Sequence, residues 1–513
     1  MIGGAAGATL AAPFPLAGRN PANPDVAVAA VICFDGFMSK PAATRALKRK
    51  LGPCVDTGDD ARHAASFDGS KLAWTPDAVI RPRTEEDVSS VLRYANRYGV
   101  PVTTRGGGSS LTGSASPVRG GWVLDLSGWR KLRVDRAAGM AYVQSGVRTA
   151  DLQRAAERAG WFYPPDPSSR EFGTLGGNIA CNAGGMRGGK YGVTRDYVLA
   201  LRGVLPTGGI VAWSRDLRKY AAGYNVRDLW IGSEGTLGVI TEAVLRLIPR
   251  PASRRTILAS FANETRALQT VKRILSLPLI PSILEFLDRE SVGCAESATG
   301  RSVFPGQAGR PVLLMELDGH PAAVEDERRR LLEIVKPHAL AVKEASDAQE
   351  TEALWEVRRK CSGAMFELGD GKLNEDVVVP LRSQVKLMTF IRRLSRESGV
   401  PIATFGHAAD GNFHVNIMYR RDDRASSAAA LRALRALMNK VIELGGAISG
   451  EHGIGLAKTP FFALEHSPSE IGVMKAIKHA FDPNAILNPR KIFEVTEVWK
   501  KRPLKVRLPW DHK

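Results

Sequence analysis

Cysteine is scarce in this chain and never paired. Its five cysteines, Cys33, Cys54, Cys181, Cys294 and Cys361, form no CxxC. Iron–sulfur clusters, thiolate zinc sites and disulfide frameworks depend on such spacing, so their absence argues for a reducing compartment. Long apolar runs are missing too. Nothing approaches the roughly 20 residues of a membrane span, and "VAVAAVICF" follows Asp25 with no basic segment ahead of it, so it does not read as a signal peptide. Two phosphate-binding signatures are also lacking: a GxGxxG opening a helix with a partnered acid, and GxxxxGK[ST]. NAD and ATP in their usual folds are therefore disfavoured. Acidic residues fall short of basic ones, 53 against 71, leaving a net charge of +18. The basic residues are scattered and no nucleic-acid motif accompanies them. Nucleic acid is not the expected partner; an acidic redox protein or an anionic membrane surface suits the charge better.

What is present describes a globular chain. With 513 residues, 44% hydrophobic and 24% charged, two or three domains are expected. Residues 1–37 are Ala/Gly/Pro-rich and patternless, while Met38 opens "MSKPAATRALKRKLG", the look of a natural start. Residues 1–37 thus read as a disordered tail or an extension outside the natural chain, and 38–73 as an N-terminal segment. "PRTEEDVSSVLRYANRYGVPVTT" is a helix running into a strand, capped by Thr84 and ended by Gly99, with Val88, Val91, Leu92, Ala95 and Tyr98 on one face. The strand "AYVQSGV" and a helix capped by Thr149 form a second unit, and "GVITEAVLRLIP" reads as a further strand. After the polar "RPASRR" at 250–255, helical patterns alternate with short strands, an α+β arrangement.

Glycine is abundant, 51 residues, and it clusters. "TRGGGSSLTG" (104–113), "TLGGNIACNAGG" (174–185) and "GSEGTLGVIT" (232–241) interleave it with small polar residues. Backbone without side chains lets several N–H groups converge on an anion, and a pyrophosphate needs such a cradle. A single run would be an ordinary tight turn; three favour a cofactor site.

"TFGHAADGNFHVNI" (404–417) places His407 and His414 seven residues apart around turn residues. In one straight strand that odd spacing would send them to opposite faces, but a reversal at "AADG" brings both to one point. His414 and Asn416 share a face. "GAISGEHGIG" adds Glu451 and His452. Two imidazoles and a carboxylate suit a divalent metal with open positions; Zn²⁺, Mn²⁺ and Fe²⁺ are all chemically reasonable. A carboxylate ligand would also want an arginine fork, and "LWEVRRKCSGAMF" offers Arg358 beside Arg359 and Lys360, a run that by itself reads as a solvated helix face.

"RGGGSSLTG", "GTLGGNIACNAGG", "KYGVTRDYV" and "GSEGTLGVITEAVLRLIP" together resemble the vanillyl-alcohol oxidase superfamily, and most of all its FAD-linked D-lactate, glycolate and D-2-hydroxyglutarate dehydrogenases, over about residues 74–493. The resemblance implies an α+β chain with a two-part FAD-binding domain of the p-cresol methylhydroxylase type at 74–253. An α+β cap, or substrate, domain of the FAD-linked oxidase C-terminal type would follow at 254–493, with 472–493 returning to the FAD domain, and a basic tail at 494–513. It implies that Arg105, Gly106, Gly107, Gly108, Ser109, Ser110 and Gly113, with Thr174, Gly176, Gly177, Asn178, Ala180 and Asn182, hold FAD, and that Glu234, Gly235, Val239 and Asn488 lie near the rest of it. Ser109 stands where some members carry a flavin-linking histidine, which implies non-covalent FAD. By the same matching, His407, His414 and Glu451 bind the metal and His452 is the base. Arg358, Ser362 and Asn416 meet the substrate. Asn374 stands where some 2-hydroxyglutarate enzymes carry lysine, a departure that favours a smaller acid.

The implied activity is oxidation of a D-2-hydroxy acid, D-lactate or glycolate first, to the 2-keto acid by hydride transfer to flavin. A separate acceptor would be a cytochrome, an electron-transferring flavoprotein, a quinone or a separate iron–sulfur subunit. An oxygen-using 2-hydroxy-acid oxidase and a D-2-hydroxyglutarate dehydrogenase are the alternatives. The expected location is cytoplasmic, with room for peripheral contact at the inner membrane.

Overall fold

The computed structural model describes residues 40–300, 302–498, 504, 506 and 508. The expectations for residues 1–37 and for Met38, and much of that for the basic tail, lie outside the described residues. The strands in chain order are β1 (Val55–Asp56), β2 (Ala78–Ile80), β3 (Val102–Arg105), β4 (Trp122–Asp125), β5 (Leu132–Asp135), β6 (Met140–Gln144), β7 (Trp161–Phe162), β8 (Val198–Val204), β9 (Ile210–Ser214), β10 (Val239–Arg246), β11 (Ile248–Pro249), β12 (Ser253–Ser260), β13 (Ile283–Leu287), β14 (Val312–Gly319), β15 (Ala341–Glu344), β16 (Gly371–Val378), β17 (Ile402–His407) and β18 (Asn412–Tyr419).

Three main sheets organise them. The first runs β1-β2-β4-β3, parallel except for β1. The second, antiparallel, runs β5-β6-β10-β8-β9. The third, also antiparallel, runs β15-β12-β14-β13-β17-β18-β16. The helix Glu85–Tyr98 shows how local sequence builds the first layer. Thr84 accepts the Asp87 amide at 3.2 Å, Val88, Val91, Leu92 and Ala95 are buried, and Gly99 closes the helix at φ 62°. The next helix departs from expectation. It begins at Thr149 itself, after an Arg148 that makes no side-chain cap. The Thr149 hydroxyl instead accepts from Asn178 at 2.6 Å, because a buried amide without a partner costs more than an uncapped helix end.

The third sheet has two unlike faces, set by the period of two along each strand. Ile257, Phe286, Leu313, Met315, Phe413 and Val415 face one way and pack under the helices Glu264–Ile274, Pro321–Val335, Gln384–Ser398 and Arg424–Glu443. Each such buried side chain contributes roughly 2 kcal/mol. Leu258, Leu287, Leu314, Ala403, Phe405 and Met418 face the other way, against Arg289–Thr299 and Ala348–Ala364. Polar residues cluster on this second face where β13, β17, β18 and β16 adjoin.

Candidate functional site

Strand register assembles the polar cluster. Glu285 on β13 is directly opposite His407 on β17. Phe405 is opposite His414 on β18, and His414 is opposite Asp376 on β16. The chain reverses between β17 and β18, so His407 and His414 become diagonal neighbours on one face, with ring centroids 5.2 Å apart. Asn416 and Asn374 form the next opposed pair.

Glu451 and His452 arrive on a loop above this face. The Asp376 carboxylate holds the loop from below: one oxygen accepts the amides of Gly450, Glu451 and His452 at 2.8, 2.9 and 2.9 Å. From the N-terminal half, Glu234 accepts the amides of Ile454 and Gly455, each at 2.8 Å. Two buried carboxylates from different halves thus fix five backbone N–H groups around the functional residues.

The Nε2 atoms of His407, His414 and His452 stand 3.7, 3.5 and 3.8 Å from one oxygen of Glu451. These spacings are too long for hydrogen bonds. They match the separation of roughly 3.4 Å between tetrahedral ligands that each sit about 2.1 Å from a metal. The ligand atoms of His407, His414 and Glu451 lie within 4.8 Å of one another, and the His407 Nε2 is buried with no partner. Burial pushes the His414 imidazole down to about 3, which keeps it neutral and its lone pair available. Burial would also lower His407, but its neighbour Glu285 raises it well above the ordinary imidazole range. Asp376, His414 and His452 are a second grouping of similar compactness. It fits an ion less well, because Asp376 already accepts from three amides, from Ser449 at 3.0 Å and from Asn412 at 2.6 Å. Four of these five donors crowd onto one oxygen, and the other is already engaged by Asn412.

Arg358 comes from the helix Ala348–Ala364. It is no solvated helix position: its guanidinium lies 4.2 Å from the Phe405 ring centre and its Nε donates to Glu285 at 2.5 Å. Ser362, one turn further along, is exposed and accepts from Lys372 at 2.9 Å; among the described residues no hydrogen bond joins it to the cluster. The Asn416 amide nitrogen donates to Ala403 and His414 carbonyls at 3.2 and 3.0 Å, leaving its buried Oδ1 unpartnered. The Asn374 Oδ1 is likewise buried and unpartnered. Among the described residues no hydrogen bond holds either ring nitrogen of His452, whose Nε2 stands 3.8 Å from Glu451.

The three glycine-rich stretches meet. A Cβ on Gly106 would lie 2.1 Å from the Thr174 hydroxyl, and one on Gly107 2.2 Å from the Phe172 carbonyl oxygen. The amides of Gly232 and Glu234 donate to Ile179 and Ala180 at 3.0 and 2.7 Å. Beside them opens a cavity of about 380 Å³ whose lining includes Arg105, Gly106, Gly107, Thr174, Arg130 and Arg148. Bare backbone and guanidinium groups are a chemical match for a pyrophosphate. Several residues in this cradle have their side chains committed elsewhere. Arg105 donates to the Phe67 carbonyl at 2.6 Å, Asn182 accepts from Arg195 at 2.9 Å, and Val239 is in the core. The Asn488 Nδ2 donates to the Ser114 and Glu234 carbonyls at 3.0 and 2.6 Å, leaving its buried Oδ1 unpartnered. Cradle and polar cluster adjoin: a Cβ on Gly184 would lie 2.9 Å from Glu451, and the Thr112 hydroxyl donates to the His452 carbonyl at 3.3 Å.

Sequence reasoning missed Glu285, Asp376 and the bridging use of Glu234. "SILEFLDRE" did carry one signal, a carboxylate in the middle of an otherwise apolar strand.

The chain is similar to known proteins in sequence and in fold. Residues 76–214 match the FAD binding domain family, and residues 250–492 match the FAD linked oxidases, C-terminal domain family. The glycolate oxidase subunit GlcD of Bacillus subtilis (strain 168) is 40% identical over 85% of this chain and 93% of its own. A D-lactate dehydrogenase of Anaerostipes hadrus is 37% identical over 81% and 89%. Among solved structures, p-cresol methylhydroxylase with substrate bound superposes with a TM-score of 0.74 at 16% identity, covering 90% of this chain and 98% of that one. The same two-part fold is thus shared well beyond detectable sequence likeness. No helix among the described residues is long and apolar enough to cross a membrane.

Proposed function

We propose, because the chain belongs to the FAD-linked oxidoreductases of the glycolate oxidase subunit and D-lactate dehydrogenase type, that it oxidises a small D-2-hydroxy acid, D-lactate or glycolate, to the 2-keto acid. The observation that carries this reading is the convergence of three imidazoles on Glu451 beside an arginine, where the glycine cradle meets the cap sheet. Bound FAD supplies two-electron acceptance, and a divalent cation held by His407, His414 and Glu451 supplies Lewis acidity toward the hydroxyl.

This chain's own residues do the rest. Arg358 has its Nε tied to Glu285, so its two terminal nitrogens are the fork offered to a carboxylate. The ring nitrogens of His452 are unspent, which suits a base taking the hydroxyl proton. The Oδ1 atoms of Asn416 and Asn374 are buried acceptors without donors, open to a water bound beside the substrate. Asn374 puts no positive charge opposite Asn416, which favours a substrate with one carboxylate over a dicarboxylate. Ser362 is the weakest of the proposed substrate residues, given its exposure and its tie to Lys372. The relatives named as subunits support a separate electron acceptor.

An anaerobic screen of 2-hydroxy acids, both enantiomers, following flavin absorbance tests the reading. D-lactate or glycolate bleaches the flavin, and His452→Ala keeps the yellow colour while turnover falls by about 10²- to 10⁴-fold. Unchanged turnover in that variant rules out the base.

A further inference from the structure

The Glu285 carboxylate is fully buried and its two oxygens serve two different groups. One accepts from the Nδ1 of His407; the other accepts from the Nε of Arg358 at 2.5 Å. The first pairing follows from strand register, since Glu285 and His407 are directly opposed on β13 and β17. The second follows from the helix Ala348–Ala364, which lays Arg358 across Phe405 at 4.2 Å. A carboxylate only accepts, so the Nδ1 of His407 must carry its proton. A bound cation therefore has only the Nε2 proton to displace, and its loss frees the lone pair on the atom that faces Glu451. The same carboxylate fixes Arg358 by its Nε and so aims the two terminal nitrogens.

We infer that Glu285 is a positioning residue that sets the His407 tautomer and the Arg358 fork together, so that metal affinity and substrate-carboxylate affinity depend on one side chain. The inference rests on the proposed reading of the site. It has a sharp chemical consequence, because an amide has one accepting atom where a carboxylate has two. A glutamine at 285 can accept from His407 or from Arg358. If it turns its NH₂ to His407 Nδ1, the proton moves to Nε2 and the lone pair facing Glu451 is lost.

The test compares full-length, flavin-loaded wild type with Glu285→Gln and Glu285→Asp. Zn²⁺ affinity is read by competition with a chromophoric chelator, and KM and kcat with D-lactate or glycolate, whichever bleaches the wild-type flavin. Glu285→Gln is expected to weaken Zn²⁺ binding by about 10- to 100-fold and to raise KM by roughly tenfold, with the flavin retained. Glu285→Asp, which keeps an acceptor on each oxygen, recovers part of both losses. A residue that merely fills space would rank aspartate below glutamine, and that order overturns the inference. So does a Glu285→Gln variant in which either Zn²⁺ affinity or KM matches wild type. A wild type that takes up no Zn²⁺, or a His414→Ala variant that takes it up equally well, overturns the reading of the site and this inference with it.

Discussion

The two halves of the molecule build their parts of the site by opposite means. The flavin-side half works with backbone: Gly106 and Gly107 are pressed so close to Thr174 and Phe172 that a methyl group would collide. The cap half works with side chains set on a rigid sheet, where Glu285, His407, His414, Asp376, Asn416 and Asn374 hold their places by strand register. A backbone cradle tolerates no added atoms, whereas a side-chain array tolerates no loss of an acceptor. The loop carrying Glu451 and His452 joins the two, held by one carboxylate from each half.

The sharpest way to break the cap side alone is Asp376→Asn. It removes the charge on which three amides converge and lets Glu451 and His452 drift. Turnover is expected to fall on the order of a hundredfold, the usual effect of misplacing a functional group by about 1 Å. Flavin content, read as absorbance per mole of protein, stays at the wild-type level. Loss of the flavin in this variant would show that the halves are not separable. The converse is Gly107→Ala, where the new methyl meets the Phe172 carbonyl. Overpacking of about 2 kcal/mol corresponds to roughly thirtyfold weaker FAD, measured by flavin fluorescence on dilution, with Zn²⁺ affinity unchanged.

A smaller effect sharpens the contrast from inside the flavin-side half. Asp166 is buried and braces the second glycine stretch from both ends, pairing with Arg170 at 2.9 Å and Arg187 at 3.3 Å. Burial would raise its carboxyl, but Arg187 and Arg170 hold it below the ordinary value. A depressed folded-state pKa contributes stability that is present above the unfolded value of about 3.9 and is lost as pH falls through the folded one. Asp166→Asn is therefore expected to cost about 1.5 kcal/mol at pH 7. The gap to wild type closes below about pH 4, in urea denaturation followed across pH. A gap that persists at low pH would assign the effect to packing.

Much of the cradle was legible because its information is local. Three glycine runs, a threonine cap and the reversal at "AADG" are each decided within a dozen residues, and the structure brings all three runs together. The histidines were legible as a cluster once the reversal was allowed. Glu285 was not, since its partners are 122 and 73 residues away and nothing in "SILEFLDRE" says which strand lies beside it. Arg358, in a run of charge, looked like solvent-facing helix, and only Phe405 beneath it and Glu285 beside it turn it inward. Thr149 read as a cap because the demand of Asn178 for its hydroxyl is a long-range fact.

The sequence by itself determined the backbone chemistry: where the chain can approach a ligand closely, where it turns, and which side chains are able to bind a metal, a proton or a carboxylate. Only the tertiary structure decided which of those side chains share a point in space and which lone pairs they have left. Turn and cap preferences arise from neighbouring atoms along the chain, while the partner of a buried carboxylate is chosen by strand order and register, which bring together residues that sequence distance keeps apart.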